Sequence, residues 1–226
     1  MKKILIITFA LISTLSHSQE RDFEKPNYKK IKKNIKKKNS NLYYNSLMTR
    51  FRNSDSTMNL KEKRHLYYGY TFNKDYAPYS GSNYRDSITP LLDKEKLDSL
   101  DLTKCIEFAD AMLLHNPFDL NAMNYKSYAL EQMGNITDYK KLYHQAITIY
   151  DAIFSSGNGK SRKEAFYVIE ISHEYKVLNV LGFQWGGSQS KIESYDYLTL
   201  AENEWEIEGL YFDVSPALSV LSDMFD

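Results

Sequence analysis

Apolar residues recur every three or four positions through the first two thirds of the chain, which is the spacing of amphipathic helices. Tyr44, Leu47 and Phe51 lie on one such face. Asn59 stands three residues before Glu62, so each side chain can accept a hydrogen bond from the other residue's backbone amide. The sequence therefore predicts one helix through the first group and a second helix that begins after Asn59.

Three further helices are predicted in the middle of the chain. Asp101, Asp119 and Asp138 each precede an apolar face and can cap a helix N-terminus. Short turns between successive helices imply antiparallel helical hairpins. Residues 117–146 resemble a tetratricopeptide-type hairpin, with Gly134 at its turn.

The pattern changes after residue 160, where apolar and polar residues begin to alternate as in half-buried strands. The sequence predicts, in order, a buried strand, a short helix, a turn, two alternating strands and a terminal helix, at residues 166–171, 173–183, 184–188, 191–200, 207–214 and 215–225. Helical hairpins followed by a small antiparallel sheet and a C-terminal helix make an α+β fold.

Four regions follow from these patterns. We assign residues 1–18 to a signal peptide, 19–39 to a basic N-terminal helix, 40–160 to a helical domain, and 161–226 to a small β-rich region packed on the helices. Within the helical domain, residues 73–90 combine tyrosine with glycine and proline, which predicts a loop.

The first region has the parts of an export signal. Lys2 and Lys3 precede an apolar run from Ile4 to Leu15, and the segment that ends at Ser18 carries the small residues that a signal peptidase selects. Such a run is too short to cross a bilayer, which needs about 20 residues. The sequence thus predicts an exported protein, periplasmic or secreted. Its single cysteine, Cys105, allows no internal disulfide.

Charged residues are distributed unevenly along the chain. The formal net charge is zero, with 29 basic residues against 29 acidic ones. However, residues 19–38 hold nine basic and three acidic side chains, whereas residues 189–226 hold one basic and nine acidic side chains. Neutrality is therefore an average over a basic start and an acidic end.

The basic region is predicted to be a lysine-coated helix. Tyr28, Ile31 and Ile35 are spaced as one narrow apolar stripe. Two interpretations stay open: the stripe docks on the body of the protein, or the lysines of Lys29–Lys38 contact an anionic surface. Export argues against nucleic acid as a partner.

Patterns typical of catalytic and metal sites are incomplete. Residues 157–161 end like a phosphate-binding loop, but Phe154 stands where its first glycine should be. Residues 173–174 begin like a zinc-protease motif, but Val177 replaces its second histidine. Cys105 lies on an apolar face, where a thiol stays protonated. The sequence predicts no catalytic, metal-binding or cofactor-binding residue and favours a non-enzymatic protein.

Aromatic residues supply the candidate interaction surface, which comprises Tyr67, Tyr68, Tyr70, Tyr76, Tyr79, Tyr84 and Trp185. Tyrosine offers a large rigid contact area with a polar tip, which suits protein interfaces and sugar stacking. The alternative is that these tyrosines replace leucine in a core, with their hydroxyl groups reaching water.

Several stretches resemble a known family. These are RHLYYGYTF at 64–72, DYAPY at 75–79, NPFDLNA at 116–122, HEY at 173–175 and GLYFDVS at 209–215. They are similar to the domain-of-unknown-function 4919 family, small exported proteins of Gram-negative bacteria whose activity is not established. The resemblance implies export and a fold of helices plus strands, and it transfers no catalytic residue.

The favoured hypothesis is a non-enzymatic scaffold of the cell envelope that binds another envelope protein. The helical hairpins and the tyrosine-rich segment motivate it. The alternative is a carbohydrate-binding protein or hydrolase that uses tyrosine and tryptophan walls with carboxylates.

Overall fold

The chain divides into two compact units, and the computed structural model describes residues 23–80 and 84–225. The helical unit is Pro26–Ala152, and the mixed unit combines the segment that ends at Lys25 with Ile153–Asp226. The predicted signal peptide lies outside the described residues. Helices together with a small sheet confirm the α+β class.

Helices make up the regular structure of the helical unit. They are α1 (Tyr28–Asn34), α2 (Tyr44–Arg52), α3 (Leu60–Gly69), α4 (Tyr84–Leu92), α5 (Ser99–His115), α6 (Leu120–Gln132) and α7 (Ile136–Phe154), with a 3-10 turn at Tyr70–Phe72. α5 packs along α6, and α4 packs on α5. Across the described part of the chain, no helix combines the length and the apolar character that a membrane crossing requires.

Side chains at the helix starts account for two of the boundaries. The predicted capping box of α3 is present: the Glu62 amide donates to Asn59 Oδ1 at 3.1 Å, and the Asn59 amide donates to Glu62 Oε2 at 2.9 Å. The prediction that Asp101 caps α5 was wrong by one turn. Asp98 is the cap, and Asp101 is the third helical residue that completes a second capping box.

The predicted loop at 73–90 is also partly wrong, because α4 forms within it. Ile88 explains the difference, since it is fully buried in a cluster with Leu102, Cys105 and Ala129. Pro90 lies in the last turn of α4. Burial of an apolar face therefore outweighs the helix-breaking preference of the proline at this position.

The helix α1 uses its apolar stripe as the docking interpretation predicts. Ile31 and Ile35 are buried, at 3% and 6% exposure. Tyr28 meets the rings of Tyr68 and Phe72 edge to face, with centroids 6.0 and 6.3 Å apart. The helix therefore packs on α3 within the helical unit, and its lysines remain on the outer side.

A four-stranded sheet and two helices form the mixed unit. Its elements are β1 (Phe166–Tyr167), α8 (Ile171–Val180), β2 (Trp185–Ile192), β3 (Tyr195–Leu200), β4 (Gly209–Asp213) and α9 (Ser215–Phe225). The strand order is β1-β4-β3-β2. The pair β3–β4 is antiparallel, as predicted. The pair β2–β3 is antiparallel too, but β1 runs parallel to β4, so the sheet is mixed.

Three local predictions in the mixed unit were wrong. The single strand expected at 191–200 divides between β2 and β3, with a turn at Glu193 and Ser194 between them. The strand expected at 166–171 is only two residues long, because α8 already begins at Ile171. The turn expected at 184–188 belongs to β2, where the register shifts between Trp185 and Gln189. Gly187, with φ of 94°, supplies the left-handed conformation that lets the strand continue through this irregularity.

Candidate functional site

The structure corrects the predicted tyrosine surface. Tyr67 and Tyr68 are fully buried, and Tyr70 and Tyr76 are exposed by only 3% and 9%. Tyr67 and Tyr70 pack edge to face against Phe118, with ring centroids 5.9 and 5.0 Å from its own. Tyr68 packs in the same way on Tyr67, and Tyr76 on Tyr70. These four tyrosines build the core of the helical unit and are not surface residues.

The other three predicted surface residues are exposed but do not form one patch. Tyr79 and Tyr84 are 39% and 45% exposed in the helical unit, where Tyr84 stacks on Phe108 at 6.0 Å. Trp185 is 48% exposed and belongs to β2 of the mixed unit. Whether any of them binds a partner stays a prediction.

A groove of about 440 Å³ opens in the helical unit. It is lined by residues from α2, from the segment that follows α3, and from the end of α5, namely Met48, Arg52, Tyr70, Asn73, Lys74, Asp75, Ala77, Leu114, His115 and Pro117. Buried Met48 and Tyr70 close its inner side. The sequence pattern does not indicate this groove, because its walls come from separate segments of the chain.

The rim of the groove carries both apolar and charged groups. Leu114 is 82% exposed, although it is a large apolar side chain on a helix. Arg52 and Lys74 are also exposed, and neither forms an ion pair with a carboxylate among the described residues. His115 Nε2 lies 3.3 Å from Ser80 Oγ, which ties the end of α5 to the loop beside it. The rim can receive an apolar side chain together with a negative charge.

The mixed unit contains a different unusual feature, a pair of buried carboxyl groups. Glu174 lies in the first turn of α8 and is fully buried, and Asp196 lies in β3 at 4% exposure. Asp196 shares the buried face of β3 with Leu198 and Leu200, because alternate residues of a strand point to the same side. We call Glu174 and Asp196 the carboxyl pair.

The two members of the carboxyl pair are satisfied to different extents. Asp196 Oδ2 accepts a hydrogen bond from the amide nitrogen of Gln189 at 2.8 Å. Neither carboxyl oxygen of Glu174 accepts a hydrogen bond from a described residue. Burial, followed by the negative charge of Asp196, raises the pKa of Glu174 to about 9. Glu174 is therefore protonated at neutral pH and can donate its proton to Asp196.

A short chain of hydrogen bonds links Asp196 of the carboxyl pair to the surface. The exposed Gln189 that donates to Asp196 also accepts a bond from the hydroxyl of Tyr175 at 2.9 Å. The ring of Tyr175 meets the exposed ring of Trp185 edge to face, with centroids 5.9 Å apart. Asp196 is therefore connected to a surface formed by Gln189 and Trp185 of β2 and Tyr175 of α8.

Other acid–base groups near α8 have partners of their own. His173 is fully buried next to Glu174 in the sequence, and its Nε2 lies 3.6 Å from Glu170 Oε2. Within residues 23–80 and 84–225, no three histidine, cysteine or acidic side chains come together as metal ligands would.

Cys105 lies on α5 of the helical unit and is buried, and this burial raises the pKa of its thiol to about 11.

The loop at 157–161 that resembles a phosphate cradle uses its amides internally. The backbone N–H groups of Asn158 and Gly159 both donate to the carbonyl oxygen of Glu164, at 2.9 and 2.8 Å. The carbonyl of Gly159 in turn accepts from the Tyr211 amide at 2.8 Å. These bonds fasten the loop to the sheet, so the glycines serve a tight turn.

A sequence profile described as "Domain of unknown function (DUF4919)" matches residues 29–222. The chain belongs to this family. The match begins inside α1 and ends in α9, so it includes both the groove and the carboxyl pair. No curated protein and no solved structure matches the chain. The family description names no activity, and function must be argued from the two sites themselves.

Proposed function

We propose that this DUF4919 chain is a non-enzymatic protein-binding module and that the groove of the helical unit receives its partner. The observation that carries the proposal is Leu114, which is 82% exposed on the same groove as Arg52 and Lys74, two cations that form no ion pair with a carboxylate of residues 23–80 and 84–225. Exposed apolar groups framed by polar residues are typical of protein-binding sites. Covering a leucine side chain contributes roughly 1.5 to 3 kcal/mol of binding free energy.

The groove favours one kind of partner segment. Arg52 and Lys74 attract a carboxylate, while Leu114 and Met48 offer apolar contact. Asp75 lies on the same lining and disfavours a second negative charge there. The best fit is an extended peptide with a large aliphatic or aromatic side chain next to a single acidic group.

The second part of the proposal is that the protein is exported. Residues 1–18 have the pattern of a signal peptide, so the partner would be a protein of the cell envelope or the exterior. N-terminal sequencing of the chain recovered from the envelope fraction tests this part. A new N-terminus just after Ser18 supports it, and an intact Met1 would remove it.

Selection of peptides tests the groove. A phage-displayed peptide library is selected on the full chain, and the enriched peptides are measured by fluorescence anisotropy. We expect an acidic–aliphatic consensus whose affinity falls at least tenfold on Leu114→Ser, because a buried leucine contact is lost. Leu100→Ser is the matched control, since Leu100 is 62% exposed near the other end of α5.

Two outcomes would reject the groove. Either the selection gives no consensus, or the enriched peptides bind wild type and Leu114→Ser equally. The double variant Arg52→Gln/Lys74→Gln adds a second criterion, because it should weaken acidic peptides and leave neutral analogues unchanged.

The carboxyl pair supports a second candidate, a carbohydrate hydrolase. Glycosidases pair two carboxyl groups, one of which has a raised pKa and acts as the acid. It ranks second because Glu174 and Asp196 are 0% and 4% exposed, so a substrate could reach them only after the unit opens. Assays on a panel of chromogenic glycosides test it. Turnover that Glu174→Gln abolishes and Glu204→Gln preserves would support it, and no turnover by wild type would reject it.

A further inference from the structure

The outer side of α1 and the turns that follow it form a strongly basic surface. Its lysines are all exposed, and we call them the lysine surface: Lys29, Lys30, Lys32, Lys33, Lys36, Lys37 and Lys38. From Pro26 to Ser54 the sequence contains no aspartate or glutamate. The local field is therefore positive and is not offset by neighbours along the chain.

Contacts within the protein leave these charges available. Among the described residues, none of the seven lysines forms an ion pair with a carboxylate. Lys32 has a different contact, with its ammonium 5.2 Å from the ring centroid of Phe72. Mutual repulsion of the lysines disfavours this arrangement, and an external anionic partner would relieve it.

The helix beneath the lysines is held in place by its opposite side. Ile31 and Ile35 are buried, and Ile35 packs where α3 has only Gly69, so a Cβ there would lie 3.3 Å from the Ile35 side chain. The apolar stripe is therefore occupied and is not available for insertion into lipid. Binding through this surface can only be electrostatic and peripheral.

We propose that the lysine surface attaches the protein to an anionic phospholipid bilayer. A fixed array of lysines on the outside of a helix matches a flat layer of phosphate headgroups, which each lysine contacts as a point charge. Nucleic-acid sites instead combine cations with stacking aromatic rings or arginine forks, whereas every cation of this surface is a lysine. The partner is thus a lipid surface, bound independently of the groove.

Vesicle flotation tests the proposal with protein purified after expression of the full chain. Wild type should float with vesicles of phosphatidylcholine and phosphatidylglycerol, float less with phosphatidylcholine alone, and dissociate as ionic strength rises. The variant Lys29→Gln/Lys33→Gln/Lys37→Gln should bind about 100-fold more weakly, at about fivefold per lysine. Lys96→Gln/Lys104→Gln/Lys140→Gln is the matched control from exposed lysines elsewhere in the helical unit and should bind within twofold of wild type.

Three results would overturn the proposal: no binding of wild type to the anionic vesicles, equal binding to both kinds of vesicle, or undiminished binding of the first triple variant. A parallel titration with heparin and duplex DNA separates the sources of negative charge. Tight, salt-sensitive binding to either polymer without vesicle binding would replace the bilayer with a soluble polyanion.

Discussion

Glu62 in the helical unit and Glu174 in the mixed unit are both buried glutamates in the first turn of a helix, yet their surroundings differ. Glu62 Oε1 accepts from the Arg50 guanidinium at 2.7 Å, and its Oε2 accepts from the Asn59 amide at 2.9 Å. Glu174 has no donor among the described residues and faces the carboxyl group of Asp196.

This difference in hydrogen bonding indicates which protonation state each buried glutamate favours and what it does in its unit. A carboxylate that receives charged and backbone donors is stable as an anion and fixes a helix start, as at Glu62. A carboxyl without donors and beside another acid is stable only when protonated, as at Glu174. Burial alone therefore does not identify a functional acid, but burial without a donor marks Glu174 as the more unusual of the two.

The largest expected effect is the pH dependence of the mixed unit. Because folding raises the pKa of Glu174 from 4.5 to about 9, the folded state retains a proton that the unfolded state releases. The contribution of Glu174 to the free energy of unfolding should be constant below pH 4.5, fall as pH rises toward 9, and level off above that. Glu174→Gln should remove this decline and stabilise the unit at pH 8 by on the order of a few kcal/mol.

Tryptophan fluorescence during urea unfolding measures this effect selectively, because Trp185 and Trp205, the two tryptophans of the chain, both lie in the mixed unit. The exposed Glu204→Gln is the control and should reproduce the wild-type pH profile. Equal pH profiles for wild type and Glu174→Gln would mean that Glu174 is not protonated in the folded protein.

The same substitution should have the opposite sign in the helical unit. Glu62→Gln keeps a side chain that can complete the capping box but loses the charge that Arg50 binds. We expect a loss of about 2 kcal/mol at neutral pH, because a hydrogen bond between charged groups contributes more than a neutral one. Circular dichroism during urea unfolding measures it, with the exposed Glu131→Gln on α6 as the control. Stabilisation by Glu62→Gln would break the contrast between the two glutamates.

Sequence patterns predicted the parts of this molecule that depend on local rules. The capping box of α3, the start of α6 at Asp119 and the terminal helix at Ser215–Phe225 all follow from neighbouring residues. The pattern missed α4, because the burial of Ile88 is decided by residues of α5 and α6 that are distant in sequence.

The two candidate sites were even harder to predict from local sequence patterns. The groove and the carboxyl pair each join residues from separate elements, which one sequence does not align in space. One signal for the pair was present: Asp196 occupies the same side of its strand as Leu198 and Leu200. A charged residue at an inward position is unusual enough to have suggested a buried acid, although its partner Glu174 on α8 could not be identified without the fold.

The smallest expected effect concerns the tyrosine core, where the buried hydroxyl group of Tyr68 has a hydrogen-bond partner, as the carboxylate of Glu62 does. The Tyr68 hydroxyl donates to the carbonyl oxygen of Ala152 in the last turn of α7, at 3.0 Å. Tyr68→Phe leaves that carbonyl without this donor and should cost about 1 kcal/mol in urea unfolding followed by circular dichroism. Tyr43→Phe is the control, because the Tyr43 hydroxyl accepts an exposed hydrogen bond from the Asn45 side chain, for which water can substitute. If the two variants unfold at the same urea concentration, the hydroxyl groups of the core contribute no more than those at the surface, and these tyrosines act in the helical unit through their rings alone.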